Sequence, residues 1–457
     1  MRASRAASRG APAGGRAWVP PALGVFGAGL VAACSLVNEF PGVEQREPAS
    51  TVSTVAITVT VAGGGGDGGA GGAAATGGAG STGGAEPSET VLAVGGRFLG
   101  QEVLYALSAT TGKALATEFA TVAALAYDGE HDAYFVFLAD TLPVKAGARG
   151  KVETRRFDFA TSAWKVVGTV DGVLLPSGSE HVSLVRNRLA YLVPLAGGNT
   201  GVALLDVSNV ESVSAVVPET VDVAGTGALR GLVGTRHPSG NGGFLHALRE
   251  KTEGGSCRAE LTKIEATNVG AKVQPTSFTV GPAFPCASSA GWAADPKALT
   301  HLISVPPEAG SGEATLLAVD PSSGQLVTTK LVTVASADSH ELVPFAFAAC
   351  AQVALLGTGA GEVVARSFTE ALPVTLSVGT KLSGLAYEPR QRLLLARHAE
   401  SEEVFSLRAI AVSGDCFAPE LALLDASRWK APVFLEPRHV AVGDPVPLGC
   451  KPGDCSL

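Results

Sequence analysis

Seven cysteines and eight histidines carry most of the chemistry open to this chain of 457 residues. Cys34 stands apart near the start, inside "GLVAACSLVNEF" (29–40). Cys257, Cys286, Cys350, Cys416, Cys450 and Cys455 form an even set, suited to disulfides in an oxidising compartment. No Cys-x-x-Cys pair, His-Glu-x-x-His, Gly-x-Ser-x-Gly, Walker loop or dinucleotide fingerprint occurs, so the familiar metal, nucleophile and nucleotide sites are not signalled. The acidic turn "DGEHD" (128–132) offers oxygens to Ca²⁺, but without the spacing of a calcium loop it reads as a solvated turn. No cofactor and no metal are called for.

The elements that must position these groups follow from composition. Hydrophobic residues make up 46% and charged residues 17%, enough apolar surface to exclude wholesale disorder. With 57 Gly, 27 Pro and no 3.6-residue apolar period, short strands and many turns are expected. Formal charge is −8, and the first 33 residues hold Arg2, Arg5, Arg9 and Arg16 and no acid. Removing those four charges leaves −12, which argues against nucleic acid or an anionic membrane surface as main partner.

The four arginines precede an apolar run, 17–33, that ends in Val31-Ala32-Ala33 directly before Cys34. This resembles the lipobox of bacterial lipoproteins. The resemblance implies a signal peptide (1–33) cut before Cys34, diacylglycerol on its thiol, and an acylated new N-terminus. An uncleaved transmembrane anchor is the competing reading, but Pro20 and Pro21 interrupt the run. Ser35 rather than Asp after the cysteine implies, within that family, transfer to the outer membrane of a Gram-negative cell. Residues 34–87 then read as a flexible Gly/Ala-rich tether, with "AGGGGDGGAGGAAATGGAGSTGG" at 62–84. As a coil it spans on the order of 40 Å.

From residue 88 to 445 one pattern returns seven times: strand, turn, strand, then two shorter apolar runs. The strand–turn–strand units centre near Ser108, Asp158, Asp206, Glu265, Asp320, Ser367 and Val412, with steps of 45–59 residues. Four strands per repeat, seven times, predict an all-β, seven-bladed β-propeller. The first repeat lacks an innermost strand, and "RHVAVGD" (438–444) has no partner of its own, so it is expected to close the ring beside "TVLAVGGRF" (90–98). "LYALSATTGKAL" and "LLAVDPSSGQLV" resemble quinoprotein-type (PQQ-like) propeller repeats. Ala116 and Thr328 stand near the place of the Trp that commonly ends that repeat, so the resemblance implies the fold and does not by itself call for a quinone cofactor. A propeller lipoprotein of the outer-membrane barrel-assembly machinery shares this plan at the level of fold.

Strand parity places Cys257 and Cys286 on one face of the ring and Cys350 and Cys416 on the other. Cys450 and Cys455 flank a Pro-Gly turn in the tail, 446–457. The expected pairs are 257–286, 350–416 and 450–455, with unpaired thiols as the alternative. Propeller ligands gather where the innermost strands begin, and those positions fall at or near His439, Thr121, His181, Arg230, Ser288, His340 and Lys381. His181, Arg230, His340, Lys381 and His439 would make a basic, ligand-binding funnel for a carboxylate, phosphate or acidic loop. Trp164, Trp292 and Trp429 are expected to pack within and between blades rather than to form a platform. The expected function is a lipid-anchored, monomeric binding or scaffold module for an envelope protein, peptide or glycan. The alternative is a propeller hydrolase or quinone-dependent oxidoreductase working at the axis mouth.

Overall fold

The computed structural model describes residues 89–442 except 129–130, 186, 196–199, 223–227, 237–242, 268–269, 296–299, 309–311, 334–344, 349–352, 359–360, 369–372, 380–381, 389–390, 400–404, 415–418 and 434. These residues form seven four-stranded antiparallel sheets. Blade 1 holds β1 (Val91–Phe98), β2 (Gln101–Ser108) and β3 (Ala114–Phe119). Blade 2 holds β4 (Val122–Asp128), β5 (Ala133–Ala139), β6 (Arg149–Asp158) and β7 (Ala163–Leu174). A 3-10 turn, Ser179–His181, leads into blade 3: β8 (Val182–Val185), β9 (Arg188–Pro194), β10 (Thr200–Asp206) and β11 (Ser214–Asp222).

Blade 4 comprises β12 (Ala228–Arg236), β13 (Gly243–Glu253), β14 (Ser256–Thr267) and β15 (Gly270–Phe284). Blade 5 comprises β16 (Gly291–Asp295), β17 (Thr300–Val305), β18 (Glu313–Val319) and β19 (Leu326–Thr333). In blade 6 run β20 (Phe345–Ala348), β21 (Val353–Gly357), β22 (Glu362–Ser367) and β23 (Val374–Ser377). Blade 7 contains β24 (Leu382–Glu388), β25 (Leu393–Ala399), β26 (Phe405–Gly414) and β27 (Pro419–Leu423).

The last strand, β28 (Leu435–Val442), returns to blade 1 and pairs with β1, from Leu92 opposite Val442 to Phe98 opposite Leu435. Blade 1 therefore reads β28-β1-β2-β3, its innermost strand supplied from the far end of the chain. The innermost strands β28, β4, β8, β12, β16, β20 and β24 each touch the next, and β24 touches β28, so the ring is closed. Because each blade is covered on both faces, its strands are apolar on both parities. Leu92 and Val94 pack toward blade 7 while Ala93 between them packs toward blade 2. Val103, Tyr105 and Leu107 make the same choice against Leu104. Seven apolar clusters fill the seven gaps between neighbouring blades. Each fully buried Leu there contributes about 2 kcal/mol.

The closing segment is also held from outside. Trp429 donates its indole N–H to the Ala109 carbonyl at 2.9 Å, and the Lys430 amide donates to the Thr111 carbonyl at 2.9 Å. Gly112 sits beneath the Trp429 ring at φ +73°, where a Cβ would lie 2.8 Å from the indole. Trp164 packs edge-on against Tyr134 and Phe157 of its own blade. No described helix is long and apolar enough to cross a membrane.

Cys257, in β14, is joined to Cys286, in the turn before β16, as strand parity expects. Cys34, Cys350, Cys416, Cys450 and Cys455 lie outside the described residues, with the signal, tether and tail.

Candidate functional site

The mouth is the face where innermost strands begin and the β1–β2 hairpin turns. Thr121 immediately precedes β4, and its carbonyl accepts the Ala139 amide at 2.9 Å. His181 ends the 3-10 turn ahead of β8 and is half-buried. Ser288 lies three residues before β16 with its side chain wholly buried, its amide bonded to the Pro285 carbonyl at 2.9 Å. His340 and Lys381 lie outside the described residues.

Arg230 is the third residue of β12. Its Nε and Nη2 both donate to Oε2 of Glu250 in β13. The Glu250 side chain is 1% exposed, and its Oε1 accepts the Ala290 amide at 2.7 Å from the segment entering blade 5. Such a buried carboxylate needs its cation. Arg230 therefore anchors a joint between two blades while leaving 36% of its side chain exposed.

His439 differs from expectation. It is the fifth residue of β28, opposite Gly95, because the closing strand begins at Leu435 and not at Arg438. Burial, together with the charges of Arg397 and Arg438, lowers its pKa to about 4. It is neutral at pH 7, and its Nδ1 lies 3.3 Å from Ser179 Oγ. This imidazole joins strands rather than adding charge to a funnel.

Among the described residues, arginines that sequence reasoning passed over join Arg230 near the mouth. Arg97, at the end of β1, and Arg438, in β28, both donate to Oε1 of Glu102, at 2.7 and 3.1 Å. Glu102 is 5% exposed at its side chain, against 41% for Arg97 and 36% for Arg438. Arg397, near the outer end of β25, stacks over Phe405 with its guanidinium carbon 4.0 Å from the ring centre. "RHVAVGD" carried this signal, since Arg438 stands next to the histidine singled out. The buried carboxylates hold the guanidinium groups, and Arg97, Arg230 and Arg438 each keep more than a third of the side chain exposed.

Two features lie away from the mouth. The "DGEHD" turn is not solvated throughout: Asp128 is wholly buried, with His131 Nδ1 2.7 Å from its carboxylate, and the Tyr127 hydroxyl donates to Asp132 at 2.7 Å. Between blades 4 and 5, His246 Nδ1 lies 2.7 Å from His301 Nε2, both side chains fully buried. Burial drives the His246 pKa to about 3, and that of His301 well below its usual value. Among the described residues no group of three or more His, Cys, Asp or Glu could hold a metal ion.

No protein-family model and no curated protein matches the chain. Solved structures show the fold. A 6-phosphogluconolactonase candidate of Bacteroides fragilis is similar with a TM-score of 0.54 at 13% identity, over 78% of this chain and 99% of that one. The periplasmic gluconolactonase of Pseudomonas aeruginosa is similar with a TM-score of 0.50 at 15% identity, over 78% and 99%.

Proposed function

We propose that this chain is a lipid-anchored β-propeller of the bacterial cell envelope that binds a protein, peptide or glycan carrying carboxylates or phosphates. The observation that carries the reading is the arginine set at the mouth. Arg97 and Arg438 on buried Glu102, and Arg230 on buried Glu250, are oriented from beneath and exposed above. An overall acidic protein with oriented guanidinium groups on one face selects an anionic partner while its remaining surface repels others. The lipobox before Cys34 and the Gly-rich stretch supply the anchor and the reach.

Retention of the full chain on immobilised polyglutamate in low salt tests this reading. The Arg97→Gln, Arg230→Gln, Arg438→Gln triple variant is expected to elute much earlier, and unchanged retention would refute it. For the anchor, Cys34→Ser is expected to leave an uncleaved, unacylated precursor.

A second reading, a propeller hydrolase, is favoured by the contact of Ser179 Oγ with His439 Nδ1, the pairing a nucleophilic serine requires. The lactonase names attached to similar folds are compatible with it. The charged neighbours that shift His439 are Arg397 and Arg438, not a carboxylate, so its imidazole is a weak base, and the binding reading is preferred.

A further inference from the structure

Residues 54–61 read Thr-Val-Ala-Ile-Thr-Val-Thr-Val and lie outside the described residues. Seven of these eight are β-branched, none is charged, and Val55, Ile57, Val59 and Val61 alternate with Thr54, Ala56, Thr58 and Thr60. That is the pattern of a strand with one apolar face, not of a spacer. Left unpaired beside a soluble body, such a segment is an aggregation hazard. It calls for a sheet edge.

The described propeller has one edge that suits it. β19 ends the blade 5 sheet, pairing with β18 on one side only. Leu326, Val327 and Leu331 on it are 53%, 61% and 54% exposed. Among the described residues no other outermost strand carries more than one exposed large apolar side chain: Phe119 on β3, Val166 on β7, Leu423 on β27. Leu326 lies opposite Val319 and Leu331 opposite Thr315, so these two share one face of the sheet, with Val327 the unpaired residue of a bulge beside Leu326. β19 and the 54–61 segment are both eight residues long.

We propose that residues 54–61 add in cis to the outer edge of β19 as a fifth strand of blade 5, their Val/Ile face continuing that of Leu326 and Leu331. Main-chain hydrogen bonds then satisfy the open edge, and the apolar alternation sets the register. The 27 residues between Val61 and Glu89 reach any blade: as a Gly-rich coil they span about 30 Å on average, and up to about 90 Å when extended. A linker of that kind gives the strand an effective concentration on the order of millimolar at every edge within reach, so exposed apolar area decides where it docks.

Hydrogen exchange on the full chain tests this. In the wild type the amides of 54–61 are expected to exchange at least about tenfold more slowly than a coil. In Leu326→Lys, Leu331→Lys that protection is expected to vanish while the buried β18 amides stay protected. Coil-rate exchange of 54–61 in the wild type would overturn the proposal, as would protection that survives the β19 changes. Protection that rises with protein concentration would place the strand on a second copy and overturn docking in cis. Should the β19 variant unfold, Ile57→Asp, Val59→Asp leaves the propeller sequence intact and is expected to speed exchange along β19. Unchanged β19 exchange in that variant would equally overturn the proposal.

Discussion

Ser179 Oγ lies 3.3 Å from His439 Nδ1, although 260 residues separate them in the chain. The same oxygen accepts the Leu125 amide at 2.8 Å. One hydroxyl thus ties β28 of blade 1 and β4 of blade 2 to the turn that opens blade 3. Ser179 Oγ accepts the Leu125 N–H through one lone pair and meets His439 Nδ1 with its hydroxyl proton or its second lone pair, according to the imidazole tautomer.

Ser179→Ala removes the acceptor of the Leu125 amide and the hydrogen-bond partner of His439 Nδ1 together. The cost is expected to be about 1–3 kcal/mol, because a part-buried amide and a buried imidazole nitrogen lose their partners. The measurement is the urea midpoint of the full chain. Since the contact lies where the ring closes, the loss is expected mainly in the unfolding rate, and a midpoint equal to wild type would show that closure does not depend on it.

The buried histidines make stability depend on pH. His246 is lowered to about 3, His439 to about 4, and His301 well below its usual value, in each case chiefly by burial. Unfolded, each titrates near 6.5, so between that value and its folded pKa the unfolded chain binds more protons. Their contribution is complete above about pH 6.5 and is lost as pH falls toward 4, with a slope on the order of 1.4 kcal/mol per pH unit for each histidine. Lys263 opposes protonation of His246, and Asp320 weakly favours that of His301. Glu153 and Asp206, whose pKa values are lowered, add further loss only at more acid pH. A His246→Leu, His301→Leu pair is expected to match wild type within about 1 kcal/mol at neutral pH, since both polar partners leave together. It should also flatten the slope between about pH 6 and 4, and an unchanged slope would exclude the pair as its source.

The ring was legible in the sequence because blades bury both faces, which turns every strand into an apolar run and every repeat into a countable unit. β28 was legible for a related reason: a strand without a hairpin partner stood at one end and a repeat lacking one at the other. The mouth was read less well. Position along the chain placed Arg230 near the start of an innermost strand, but did not reveal Glu250 as its partner, because a salt bridge across two strands leaves no local pattern. His439 was assigned to the start of a strand that begins four residues earlier, at Leu435. The His246–His301 pair did leave a trace: their separation of 55 residues equals the step between the fourth and fifth repeats, which puts both on second strands of adjoining blades.

Gly231 and Trp292 test how tightly the inner ring is packed. They lie on the neighbouring innermost strands β12 and β16, and a Cβ on Gly231 would meet the Trp292 indole at 2.1 Å. All three nearest atoms belong to that ring, so an alanine must displace it. Gly231→Ala is expected to cost about 1–3 kcal/mol by overpacking. Adding Trp292→Leu removes the obstacle, so the double variant is expected to be more stable than the two single losses sum to. A thermal midpoint for Gly231→Ala at the wild-type value would show that the indole has room to move.

The Cys257–Cys286 bridge joins residues 29 apart and ties β14 to the turn that enters blade 5. Cys257 is 5% exposed while Cys286 is exposed, so a thiol reductant can attack the bridge from the Cys286 side without prior unfolding. Restricting a loop of that length in the unfolded chain contributes about 3–4 kcal/mol in the chain-entropy account. Cys257→Ala, Cys286→Ala is expected to lower the unfolding free energy measured in urea by that amount and to make this part of the stability indifferent to reductant. Wild-type protein should lose the same increment when reduced. Equal stability of the oxidised wild type and the double variant would mean that the native geometry stores as much strain as the loop restriction gains.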